Sequence, residues 1–119
     1  MNSALEMEIT QLHAEICAGL ADPSRILILY ELSQSPRNVT DLCGNLEMPQ
    51  PLVSRHLKIL RERGMVNTER RGTTIIYSLA NSKIVEALDL LRAAMREIML
   101  KRAALVETFT EEFGQQEYP

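Results

Sequence analysis

Two thiols, Cys17 and Cys43, are the soft nucleophiles of this chain, and His13 stands four residues before Cys17. At that spacing an imidazole and a thiol share one helix face, where the imidazole can activate the thiol or complete a metal shell. If the fold brings the two cysteines together, they could bridge under oxidation, take up reactive sulfur, or hold a thiophilic metal or metalloid. Small cysteines are also common core fillers, and Cys43 lies on the apolar side of its segment. Two cysteines are too few for a disulfide framework and match no metal-ligand spacing by themselves, so reduced thiols and no certain cofactor are expected. No nucleophile is paired with a base and no carboxylate pair is convincingly placed, so an enzyme is not expected.

The second constellation is cationic. Between Gln50 and Tyr77, Arg55, Lys58, Arg61, Arg63, Arg70 and Arg71 stand against Glu62 and Glu69, a local balance of +4 in a chain of net charge −3, so the remainder carries −7. Such segregation suits a face that approaches phosphate while the rest of the surface repels non-specific contact. With no Trp, two Phe and three Tyr, the chain has few flat surfaces for stacking unpaired bases.

These groups need elements to position them. The 119 residues fit one domain, expected over 1–113 with a frayed tail at 114–119. Leu5, Ile9, Leu12 and Ile16 alternate in steps of four and three, which predicts a helix over about 4–20. In "DPSRILILYEL", Asp22 is the expected N-cap and Pro23 the first helical residue. Ile26, Leu27, Leu29, Tyr30 and Leu32 then make a central core helix. Asn38 can cap a short helix, "VTDLCGNLE", and after "MPQ" a second one runs over about 50–63 to Gly64, suited to a left-handed C′ position. Two short helices with a tight link, the second basic, form a helix-turn-helix pattern. "MVNTE" and "TTIIYSL", separated by "RRG", predict a hairpin over about 65–79. The fold class is therefore mainly α with a β-hairpin wing, a winged helix-turn-helix.

The last helix is expected over about 82–113, with Ile84, Leu88, Leu91, Met95 and Ile98 on one stripe that resumes at Leu105 and Phe109. At ~45 Å it outreaches a domain this small and cannot bury its stripe within one chain. A homodimer packed through the N- and C-terminal helices would solve that problem. Met95 and Met99 read as core rather than ligands. No apolar run approaches the ~20 residues of a membrane span, and "MNSALEMEITQ" is acidic where a signal peptide is basic, so a cytoplasmic location with no membrane partner is expected.

The succession of the "ADPSR" helix, the "VTDLC" helix, the "QPLVSRHLKILRERGMV" helix, the "RRG" hairpin ending in "YSL", and the long terminal helix resembles the ArsR/SmtB family of bacterial winged-helix repressors. The likeness is close from about Ile16 to Leu91. It implies a homodimeric transcriptional repressor that sits on an inverted-repeat operator in double-stranded DNA and is released, or occasionally recruited, by a small effector.

On the implied recognition helix Val53, Leu57 and Leu60 point inward, leaving Gln50, Ser54, Arg55, Lys58 and Arg61 towards solvent. Its first turns reach base edges, so Gln50, Ser54 and Arg55 are candidates for base readout, with Lys58 and Arg61 on phosphates. His56 borders the buried side and reads either as a packed histidine or as a backbone contact. Arg70 and Arg71 at the wing tip, helped by Thr73 or Thr74, suit the adjacent minor groove or its phosphates. Relatives often have Ser where this chain has Pro49, so the recognition helix lacks a side-chain cap.

The family's sensor sites are altered. Arsenite and soft-metal sensors carry a Cys-x-Cys pair where this chain has Asn38 and Thr40, so only Cys43 survives of a three-cysteine site. The terminal-helix zinc site is absent as well, because no His follows His56. Relatives that respond to sulfide or oxidants carry a second thiol on the terminal helix, which has none here. Cys17, Cys43 and His13 remain as the candidate effector site. The alternative is a winged-helix protein-interaction module with inert core cysteines and no effector chemistry.

Overall fold

The computed structural model describes residues 3–114. In order along the chain are α1 (Ser3–Leu12), a π-helical turn (His13–Cys17), α2 (Ala18–Leu20), α3 (Pro23–Gln34), α4 (Val39–Leu46), α5 (Gln50–Glu62), β1 (Val66–Arg71), β2 (Thr74–Leu79) and α6 (Lys83–Phe113). The mainly α architecture with one antiparallel hairpin is the winged helix-turn-helix expected from the sequence. The chain divides after Val85 into two compact units.

In the first unit the local signals act as their chemistry requires. Asp22 caps α3 by accepting the Ser24 N–H at 2.8 Å, with Pro23 in the first turn where no N–H is needed. Asn38 caps α4 by accepting the Asp41 N–H at 2.8 Å. Pro49 stands at the N-cap of α5 without a side-chain bond, as its chemistry dictates. That helix ends at Gly64, φ +73°, where the Met65 N–H reaches back to the Leu60 carbonyl at 2.9 Å and closes the last turn.

The core lies where α3, α4, α5 and the base of the hairpin meet. Ile28, Leu29, Leu42, Val53, Leu57, Leu60 and Met65 are fully buried, each worth about 1.5–3 kcal/mol of transfer free energy. Two details of the expected core helix differ. Leu27 is 51% exposed while Ile28 is fully buried, because the helix turns its 28, 29, 32 face inward.

The hairpin pairs Val66 with Leu79 through to Arg71 with Thr74, so Gly72 and Thr73 alone form its turn. Arg70 and Arg71 thus close β1 rather than lying in the loop. Gly72, φ +63°, supplies the left-handed residue that a two-residue turn demands. At its base the wing is tied to the helix-turn-helix by a short bridge: the Arg37 N–H donates to the Tyr77 carbonyl at 3.0 Å and the Tyr77 N–H to the Arg37 carbonyl at 2.8 Å.

The amino-terminal helix departs from the regular one that the stripe predicts. The Ala18 N–H bonds to the His13 carbonyl, five residues back, which inserts the π turn.

The second unit is the body of α6, a helix of 31 residues. Leu91, Met95, Ile98, Leu105 and Phe109 are each between 49% and 71% exposed, and the rings of Phe109 and Phe113 stack at 4.7 Å. Among the described residues no helix is long and apolar enough to cross a membrane. Of the tail expected at 114–119, all but Gly114 lies outside the described residues.

Candidate nucleic-acid interface

The amphipathic spacing of α5 decides which side chains leave the protein. Val53, His56, Leu57 and Leu60 are buried, whereas Gln50, Ser54, Arg55, Lys58 and Arg61 are exposed. Gln50 opens the helix, and Ser54 and Arg55 follow one turn later on the same outer side. Among the described residues Arg55, Lys58, Arg61 and Arg70 form no ion pair. Arg71 reaches Glu69 at 3.4 Å, a contact of little weight because both side chains are 66% exposed. The outer side of α5 and the end of β1 therefore carry uncompensated positive charge.

A groove of about 330 Å³ runs beside this face, lined by Ser54, Leu57, Lys58, Arg61, Glu62 and Tyr77. Tyr77 of β2, which the sequence reading passed over, lines this groove opposite the side chains of α5. A second groove of about 320 Å³ lies between the start of α4 and the wing, with Asn38, Thr40, Thr73 and Thr74 on its walls. Thr73 sits in the hairpin turn, and Asn38 and Thr40 face a neutral, hydroxyl-rich groove.

His56 is placed differently from the other candidates. It is 3% exposed, and its Nδ1 lies 3.3 Å from a guanidinium nitrogen of Arg25. The same guanidinium donates through Nε to the Gly19 carbonyl at 2.7 Å and through Nη2 to the Ala18 carbonyl at 3.4 Å. Arg25 thereby ties α2, the first turn of α3 and the middle of α5 together. The signal for it was in the sequence, three residues after the Asp22 cap, but its reach across to α5 was not. Burial pushes the His56 pKa below the ordinary histidine value, helped by the charges of Arg25 and Arg55 and opposed by Asp22. The Asp22 carboxyl is held below its ordinary value, mainly by the Ser24 backbone N–H it accepts.

The sensor candidates are less concentrated. Cys17 is exposed and closes the π turn that His13 opens; Cys43 is half-buried on α4, and both thiols are free. Among the described residues no group of three or more His, Cys, Asp or Glu is arranged to hold a metal ion.

Comparison with known proteins agrees with this geometry. The profile of the bacterial regulatory protein, arsR family, matches residues 22–68, from the α3 cap into β1. The HTH-type transcriptional repressor SmtB of Mycobacterium tuberculosis is 46% identical over 74 residues, 62% of this chain and 55% of that protein, so the chain spans little more than half of its length. The biofilm growth-associated repressor of Agrobacterium fabrum is 34% identical over 90 residues, 76% of each chain. A solution structure from Mycobacterium bovis, described as a homodimeric winged helix-turn-helix DNA-binding domain, superposes with a TM-score of 0.68 at 25% identity, covering 82% of this chain and 89% of that one. Such relatives are transcriptional regulators rather than enzymes. A capped α3, a helix-turn-helix with a basic outer side, and a wing closed by arginines, all within the matched span or adjoining it, place the chain in the ArsR/SmtB family of bacterial regulatory proteins.

Proposed function

We propose that this protein is a homodimeric repressor that binds an inverted repeat in double-stranded DNA, with α5 in the major groove and the hairpin over the neighbouring backbone. The observation that carries the reading is the coincidence of unpaired cations on both elements a winged helix offers to a duplex. Arg55 can hold guanine and Gln50 adenine in bidentate fashion, with Ser54 beside them. Lys58, Arg61, Arg70 and Arg71, with Thr73, serve phosphates and fix register. His56 stays with the core through Arg25. The exposed stripe of α6 and the half-exposed Leu5, Ile9 and Leu12 of α1 provide the apolar area that a second copy would cover. A two-fold dimer then sets its two recognition helices about one helical turn apart on one face of the duplex.

An effector would act by favouring one spacing of those helices over another. A thiol-directed effector meets the exposed Cys17 first, with His13 close in sequence and Cys43 as the second, less accessible thiol. The test is fluorescence anisotropy with the DNA upstream of the gene at two salt concentrations. Tight binding that weakens steeply with salt supports the proposal. Salt-independent or absent binding, together with capture of a protein partner, would favour the interaction-module reading instead.

A further inference from the structure

The π turn at His13–Cys17 changes which side of the amino-terminal helix carries its apolar stripe. In an unbroken α-helix seven residues complete nearly two turns, with a drift of only ~20°, so Leu5 and Leu12 would stand in line with Gly19. Gly19 marks the side pressed against its own domain. It is buried, and a Cβ there would run into Met65 Cε and Arg63 Cδ. A π turn holds one residue more than an α turn, which rotates everything before it by roughly 100° relative to everything after it. The stripe is swung off the Gly19 side, and Leu5, Ile9 and Leu12 are 51%, 53% and 50% exposed.

Such a turn needs a compensating partner. Its bond to His13 takes the Ala18 N–H away from the Ala14 carbonyl, which it would meet in a regular helix. A guanidinium fills the gap: Nη1 of Arg63 donates to the Ala14 carbonyl and, at 3.2 Å, to the Glu15 carbonyl. Arg63 is the residue that follows α5, and its own N–H is held by the Ile59 carbonyl at 3.1 Å. The donor that satisfies the π turn is thus fixed to the end of the recognition helix.

We infer that Arg63 is a latch which holds the π turn and thereby selects the face of α1 presented to a second copy of this chain. The inference rests on the dimeric reading above. Its consequence is a direct link between the end of α5 and the dimer contact: displacing one alters the rotation of the other.

Arg63→Met keeps the aliphatic stem beside Gly19 and removes the donors. Sedimentation equilibrium should show its dimer dissociation constant raised about tenfold, the scale of a lost charge-assisted hydrogen bond. Deleting the exposed Ala14 supplies the sharper half of the experiment. It removes the extra residue, so a regular helix carries the stripe in the same rotation with no orphaned carbonyl. The deletion in the Arg63→Met background should therefore restore dimerisation to the wild-type level. A wild-type chain that is monomeric at every concentration overturns the dimeric reading before any variant is made. With a dimeric wild type, unchanged association of Arg63→Met overturns the latch, and so does a weakened variant that the deletion fails to rescue. If Arg63→Met does not melt cooperatively, Arg63→Leu with and without the deletion puts the same question, since it too lacks a donor.

Discussion

Nδ1 of His56 lies 3.3 Å from a guanidinium nitrogen of Arg25, joining two residues that are 31 positions apart. Arginine only donates, so the bond exists only while Nδ1 is unprotonated, with the ring proton on Nε2. Helix α5 is therefore anchored through a histidine that must stay neutral.

That requirement gives the pH dependence its sign. The folded-state pKa of His56 is lowered, so its contribution to stability is complete above the ordinary value of 6.5 and is lost as pH falls from there through the folded value. Protonation would also set a positive ring against Arg25 and Arg55. Thermal melts should show the wild type losing more stability than His56→Gln between neutral and mildly acidic pH. Parallel losses in the two proteins would remove His56 from this role.

Arg55 and Lys58 should separate on the DNA. Arg55→Ala is expected to cost about 1–3 kcal/mol on the operator and to relax preference at one base position. Lys58→Ala should weaken operator and random duplex alike and reduce the slope of log K against log salt by about one. Anisotropy titrations on both duplexes across a salt series decide the assignment.

Asn38→Ala removes the acceptor that meets the Asp41 N–H at the start of α4. A cost of about 1 kcal/mol is expected, near 4 °C in Tm for a chain of this size. Leu57→Ala, from a fully buried site, should cost about 2–5 kcal/mol. Calorimetry of the two variants should rank them in that order.

The cysteines should differ in access. Cys17 is exposed and Cys43 half-buried, so a maleimide should label Cys17 first under native conditions, with the two becoming equivalent in urea. Peptide mass spectrometry reads the two sites separately. Preferential labelling of Cys43 would overturn the placement.

Much of this protein is written in local chemistry. The Asp22 and Asn38 caps, Gly64 at the end of α5 and the alternation of buried and exposed positions along Gln50–Glu62 are decided within a few residues, since capping and periodicity are short-range properties. The outward set Gln50, Ser54, Arg55, Lys58 and Arg61 was legible for the same reason. Other features depend on groups distant in sequence. The hairpin turn moved to Gly72 and Thr73 because strand pairing fixed the register. His56 found its partner in Arg25, and the regular helix implied by Leu5, Ile9, Leu12 and Ile16 gave way to a π turn whose freed carbonyl is met by Arg63, 49 positions on. Periodicity reports which side of a segment is apolar, but a bond that crosses the fold decides whether an extra residue can be held within a turn.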